Sequence, residues 1–244
     1  MLLLAADTSG RAGSIALARG DANGSFEVLD VVPLAGGTFS AQLVPQIAAL
    51  LTKHGFGKQD IGAFFVASGP GSFTGLRIGL AAIKALAEIL EKPIAAVSLL
   101  EAFAVGAKAQ GRVLALLDAG RSEVYCGDYD ITDNSAQLRT ERLIKREDLF
   151  AEAHRGQLPW SEPRNALIGQ TTIGDITLAT SDQSLAAAAR AAGLSISLVE
   201  PIDAGTIARL GWRKIRAGET VSPEQLEANY IRRTDAEILE KIKD

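Results

Sequence analysis

Three groups of residues in this 244-residue sequence have side chains or spacing that could do chemistry. The first is the run from Ser68 to Gly79, SGPGSFTGLRIG, in which glycines separate an apolar strand from a helix. Such a junction can aim backbone N–H groups and a helix N-terminus at an anion. Its spacing is neither GxGxxG nor GxxxxGK[ST], and no lysine follows to meet a terminal phosphate. The second is a pair of aspartates ending apolar stretches, Asp7 in DTSGRAG and Asp118 in DAGRSE. With Ser9, Gly10 and Gly120 they suit a metal–nucleotide turn, although capping a turn is the plainer use of Asp there. The third is a set of hydroxyls, Ser9, Ser68 and Ser72, that are nucleophiles by type. None lies in a GxSxG elbow, and the two histidines, His54 and His154, are 100 positions apart, which disfavours a hydrolytic triad. Neither histidine has another within four residues, so no HxxxH pair is available to grip a metal, and neither catalytic nor metal-binding residues are expected.

Elements of defined type must hold these groups. Leu2 to Ala6, Ser14 to Ala18 and Phe26 to Pro33 read as three strands in a meander. From Thr38 to Lys53 the residues Phe39, Leu43, Ile47, Leu50 and Leu51 recur at helical spacing, with Pro45 near the start. Ile61 to Ala67 is a continuous apolar strand, the glycine-rich segment opens a second helix to about Leu90, and Ile94 to Val97 is a further strand. This order matches a ribonuclease H-like arrangement. The pattern then restarts: VLALLDAGRSEVYCG repeats the character of LLLAADTSGRAGSIAL, with Asp118, Gly120 and Arg121 standing 111, 110 and 110 positions after Asp7, Gly10 and Arg11. A duplicated fold explains this better than chance sharing of turn residues. Beyond it, Gln137 to Ile144 reads as a strand, Lys145 to His154 as a helix and Trp160 to Arg164 as a loop. Ala166 to Ile168 and Thr177 to Thr180 read as strands, and Ser184 to Ala192 and Asp203 to Ala217 as helices. The predicted domains are an N-terminal lobe at 1–102, a C-terminal lobe at 103–216, and a tail at 217–244 that packs back on the first lobe.

The second helix carries a further signal. At 100° per residue Gly75, Gly79, Ala82 and Leu86 fall within about 60°, opposite Arg77, Lys84, Glu88 and Glu91. Each interior glycine costs roughly 0.5–1 kcal/mol against alanine, so two of them one turn apart need an offsetting benefit, and close approach supplies one. What approaches is open: the chain's own sheet, or a partner helix meeting a seam made with Phe39, Leu43 and Ile47. On the partner reading, Gly75→Leu or Gly79→Leu spares the fold and removes the partner.

Composition sets outer limits. Apolar residues make up 47% and aromatics 5%, enough for an aliphatic core. Lys and Arg number 25 against 29 acids, for a net charge of −4, so a strong independent nucleic-acid binder is not expected. The single Cys126 excludes an internal disulfide. No apolar run reaches the roughly 18 residues that cross a bilayer, and Asp7 interrupts any secretory n-region, so a cytoplasmic protein is expected.

Five blocks together resemble the TsaB (YeaZ) family: LAADTS, GPGSFTGLRIGLAAIKALAE, PIAAVSLLEAFA, LLDAGRSEVY and ANYIRRTDAE, spread from residue 2 to about 237. One departure is Phe39, where family members often carry histidine. The resemblance implies an α/β fold of the ASKHA type, two ribonuclease H-like lobes with mixed sheets flanked by helices, the second reduced. It also implies a non-catalytic subunit that pairs with the catalytic TsaD and acts with the ATPase TsaE in forming threonylcarbamoyladenosine in tRNA. On that reading no cofactor is held tightly, ATP and magnesium act through the partner subunits, and tRNA is met only within the assembly. Homodimers would use the same two-helix surface. The alternatives are an autonomous ATP-dependent phosphotransferase built on the Asp7 and Asp118 turns, and an M22-type peptidase homologue.

Overall fold

All six residues of Leu2–Asp7 are buried, the pattern of a strand covered on both faces. In the computed structural model, which describes residues 1–133, 135–154 and 176–232, this strand is the centre of a five-stranded sheet. The elements of the first half are β1 (Leu2–Asp7), β2 (Gly13–Gly20), β3 (Phe26–Leu34), α1 (Phe39–Lys53), β4 (Ile61–Gly69), α2 (Phe73–Leu90), β5 (Ile94–Ser98) and α3 (Leu99–Gly106). Those of the second are β6 (Gly111–Gly120), β7 (Glu123–Thr132), β8 (Ser135–Lys145), α4 (Arg146–His154), β9 (Thr177–Thr180), α5 (Gln183–Ala191), β10 (Ile196–Leu198) and α6 (Ala204–Arg216).

The chain divides into two units. The first joins Met1–Ala102 with Ile202–Asn229, and the second joins Phe103–Pro201 with the segment from Tyr230. In the first, the sheet order is β3-β2-β1-β4-β5, with β1 antiparallel to β2 and parallel to β4. Successive side chains of β4 point to opposite faces. Phe64 and Val66 join Leu43, Ile47, Leu76, Leu80 and Ile83 in the core under α1 and α2. Phe65 faces the other way, toward α6, where a Cβ on Gly211 would stand 2.4 Å from the Phe65 ring. Only glycine lets the helix lie that close to the sheet.

This placement of α6 differs from the expected second lobe at 103–216. Amphipathic spacing shows that Ile207, Leu210 and Trp212 share a buried side, but not which sheet buries it. Residues 217–229 lie on the first unit, where Val221 bridges Ile94 and Leu226 is buried in the core. Arg232 instead bonds Glu123 of the second unit, and 233–244 lie outside the described residues, as do the expected loop at 160–164 and strand at 166–168.

The second unit repeats the first sheet strand for strand, with order β10-β9-β6-β7-β8, β6 antiparallel to β7 and parallel to β9. These are the two mixed, helix-flanked ribonuclease H-like lobes, and the second is reduced in β9 and β10, four and three residues long against nine and five for β4 and β5. Among the described residues no helix is long and apolar enough to cross a membrane.

Candidate functional site

The glycine-rich segment leaves β4 and caps α2, whose first residue follows Ser72; the Ser72 hydroxyl accepts the Gly75 N–H at 3.3 Å. The segment lies against the turn that ends β1. Ser72 N–H donates to Ser9 O at 2.7 Å, and Thr8 Oγ1 donates to Gly75 O at 2.7 Å. A Cβ at Gly71 would sit 2.4 Å from Ser9 O, one at Gly75 2.1 Å from Thr8 O, and one at Gly79 2.3 Å from Thr8 Oγ1. Three glycines therefore serve one close contact, between the glycine-rich segment with the start of α2 and Thr8–Ser9 of the same chain.

That contact gives the glycine seam a use within the chain, and burial takes five of the seven expected interface residues away from the surface. Gly75 and Gly79 are buried in their own unit, and so are Phe39, Leu43 and Ile47, at 5%, 1% and 4% exposure. Ala82 and Leu86 are half-buried at the edge of the same core. A stripe of large apolar residues at helical period is what a core demands, and it identifies the inner face. Nor would a leucine at Gly75 spare the fold, because even its first side-chain carbon would meet backbone, and at Gly79 the first carbon would displace the Thr8 hydroxyl.

The surface facing outward from α1 and α2, which pack against each other, is a different set. On α1 it holds Ala41, Val44, Pro45 and Ala48, and on α2 Ala81, Ala85 and Ile89, all exposed. Val44 is 54% and Ile89 73% exposed. Exposed apolar residues in rows on two packed helices mark contact sites more often than scattered single residues do. The signal is present in the sequence as a second row of Ala and Ile on α2, displaced by about a quarter of a turn from the row of Gly75, Gly79, Ala82 and Leu86.

The aspartate turns are built differently in the two units. Asp7 is 5% exposed and points inward, accepting from both the backbone N–H and the hydroxyl of Ser9, itself buried. It does not line the neighbouring cleft of about 320 Å³, whose walls are Gly10, Arg11, Gly37, Phe39, Ser72, Thr74, Gly75 and Ile78. Asp118 is 43% exposed and pairs with Arg146 at 3.2 Å. Gly120 has φ +71°, and the hairpin closes through Arg121 and Ser122, both also with positive φ. That is the twist-matched two-residue turn, here without the usual Asn-Gly. Among the described residues no three His, Cys, Asp or Glu side chains gather as a metal site. His54 caps the C-terminal end of α1, and its Nε2 lies 2.9 Å from Asp30, whose carboxyl His54 and Lys53 hold down at about 2.

Burial pushes the Asp7 carboxyl up from the usual carboxylate range against the two Ser9 hydrogen bonds, and the nearby Asp203 carboxylate adds to the rise. An acid raised in the folded state contributes stability that is complete below its unfolded pKa and is lost as pH rises through its folded value. Asp7→Asn keeps an oxygen to accept from Ser9 and cannot ionise. Relative to the wild-type protein, its melting temperature is expected to gain as pH rises above the ordinary carboxylate range of about 4, read from thermal melts across acid to neutral pH.

With this geometry in hand, comparison with known proteins is informative. The family model described as TsaD, tRNA N6-adenosine threonylcarbamoyltransferase, matches residues 31–238. The tRNA threonylcarbamoyladenosine biosynthesis protein TsaB of Bacillus subtilis is 38% identical over 130 residues, 53% of this chain and 55% of that protein. TsaB of Escherichia coli is 37% identical over 153 residues, 60% of this chain and 64% of that protein. The chain thus spans about half to just under two thirds of the length of these curated relatives. Among solved structures, YeaZ from Pseudomonas aeruginosa superposes with a TM-score of 0.67 at 25% identity, covering 93% of this chain and all of that one. Taken with the repeated ribonuclease H-like sheets, these matches mean that the chain belongs to the TsaB (YeaZ) family of tRNA threonylcarbamoyladenosine biosynthesis proteins.

Proposed function

We propose that this chain is a non-catalytic subunit in the formation of threonylcarbamoyladenosine in tRNA, and that it docks on the catalytic subunit TsaD through the outward face of α1 and α2. The observation that carries the docking is the exposed apolar row Ala81, Ala85 and Ile89 on α2, with Val44 and Ala48 exposed on the α1 helix that packs against it. The relatives' names supply the reaction. The sequence has two histidines 100 positions apart, so the metal chemistry of the transfer belongs to the partner. ATP and magnesium enter through partner subunits, TsaE among them, and a second copy of the chain would compete for the same face. An autonomous phosphotransferase built on Asp7 is less well supported, because that carboxylate is buried, accepts from Ser9 and does not line the cleft.

Depleting the protein from its source cell is expected to lower threonylcarbamoyladenosine severalfold in nucleoside mass spectrometry of bulk tRNA. A tagged copy is expected to bring down a ribonuclease H-like protein bearing an HxxxH pair. Unchanged nucleoside levels after full depletion would refute the assignment.

A further inference from the structure

Helix α6 carries its charge in one row. Arg209, Arg213 and Arg216 are all exposed, and at 100° per residue they fall within about 60° of one another, over about 10 Å of helix axis. The opposite side, Ile207, Ala208, Leu210, Gly211 and Trp212, is buried on the first sheet. Interaction with the helix dipole accounts for cations in the last turn, and so for Arg213 and Arg216, but Arg209 stands a full turn earlier. Lys214, between them in sequence, is satisfied within the chain by Glu101 at 3.1 Å and Glu219 at 3.4 Å.

The two ends of the row are held in place by the β2–β3 hairpin. The Arg209 guanidinium lies 5.4 Å from the Phe26 ring centroid, and Phe26 stacks on Trp212 with centroids 6.4 Å apart. The Arg216 guanidinium lies across Gly24, where a Cβ would stand 2.3 Å from its Nη1. Guanidinium groups laid on an aromatic ring and a bare backbone lose less freedom on binding than free side chains, and their planar forks match phosphate oxygens. In a chain of net charge −4 the three arginines form one exposed basic row. Because β4 side chains alternate, with Phe64 under α1 and α2 and Phe65 under α6, the row lies on the face of the first sheet opposite the proposed docking surface. A partner on α1 and α2 leaves it open.

We propose that Arg209, Arg213 and Arg216 bind the phosphate backbone of the tRNA being modified, contributing position and no sequence reading. The identity of the polyanion rests on the proposed function; the existence of a phosphate-binding row does not. The test is fluorescence anisotropy of the purified chain with an unmodified tRNA transcript from about 50 to 200 mM salt, a range over which phosphate contacts show themselves. The expected result is weak binding that strengthens as salt falls. The triple variant Arg209→Gln, Arg213→Gln, Arg216→Gln is expected to bind at least tenfold more weakly at the low-salt end. Its slope of log K against log salt should lose about 2, at about 0.7 per phosphate contact on single strands. The corresponding triple Lys variant should keep most of the binding. Should the triple Gln variant not fold, Arg213→Gln alone is expected to lower the slope by about 0.7.

Wild-type protein that ignores tRNA at low salt, or a folded triple variant that binds like wild type, overturns the proposal. So does equal competition by phosphatidylserine vesicles, which would make the row a membrane contact. The two readings fail separately. Depletion without loss of the modified nucleoside defeats the function, whereas a triple variant that binds tRNA normally and restores the nucleoside to depleted cells defeats only the arginine row.

Discussion

Gly75→Ala is expected to lower the melting temperature by roughly 10 °C, from about 3 kcal/mol of lost stability. Alanine is the better helix former by about 1 kcal/mol, so propensity alone predicts the opposite sign. Geometry decides against it. The new Cβ would lie 2.1 Å from Thr8 O, a backbone atom at the end of the central strand β1, and Thr8 also holds α2 through its hydroxyl bond to Gly75 O. Neither side can yield without moving a strand or a helix. Gly79→Ala offers a graded comparison. Its Cβ meets the Thr8 hydroxyl at 2.3 Å, a group that can rotate away at the cost of one buried hydrogen bond, about 1 kcal/mol or somewhat more. The smaller loss is therefore expected at Gly79, and circular-dichroism melts of both variants read the difference. Equal, near-zero effects would mean that α2 does not press on the turn.

These glycines also show what the sequence could and could not convey. Two glycines one turn apart announce a close approach, and that much was legible at positions 75 and 79. What they approach was not, because Thr8 is 67 positions away and nothing local marks it. The same limit applies to α6, whose buried side was evident from periodicity while the sheet that buries it was not. The repeated Asp-Gly-Arg turns did announce the duplication, since β1 and β6 hold matching places in matching sheets. They could not reveal that Asp7 is buried and Asp118 exposed. Helix α3 escaped prediction because LLEAFAVG has a single charged residue, so no polar stripe sets its period. Strand β10 is three residues long, too short for alternation to register. The outward row of α1 and α2 is the weaker signal in the sequence: Phe39, Leu43 and Ile47 form the more apolar row, and that quality is what places them in the core.

The double variant Ala81→Glu, Ala85→Glu is expected to weaken capture of the catalytic partner at least 100-fold and to abolish rescue of tRNA modification in depleted cells. A Kd change of that size corresponds to about 2.7 kcal/mol. Both alanines are exposed in the middle of α2, one turn apart. Glutamate there costs the free chain a few tenths of a kcal/mol in propensity and a similar amount in like-charge repulsion at i, i+4. Arg77, one turn before position 81, offsets part of this. The melting temperature should therefore stay within about 2 °C of wild type. In a complex the account changes, because two carboxylates pressed into an apolar contact lose their water without gaining partners, and such burial costs several kcal/mol. Loss of capture with the fold intact would contrast with Gly75→Ala, which acts from inside the same helix by unsettling the fold. The same double variant should also end any self-association through this face, visible as a single monomeric species in concentration-dependent sedimentation. If it captured the partner as wild type does, α1 and α2 would not be the docking face, and the Ala81, Ala85 and Ile89 row would need another explanation.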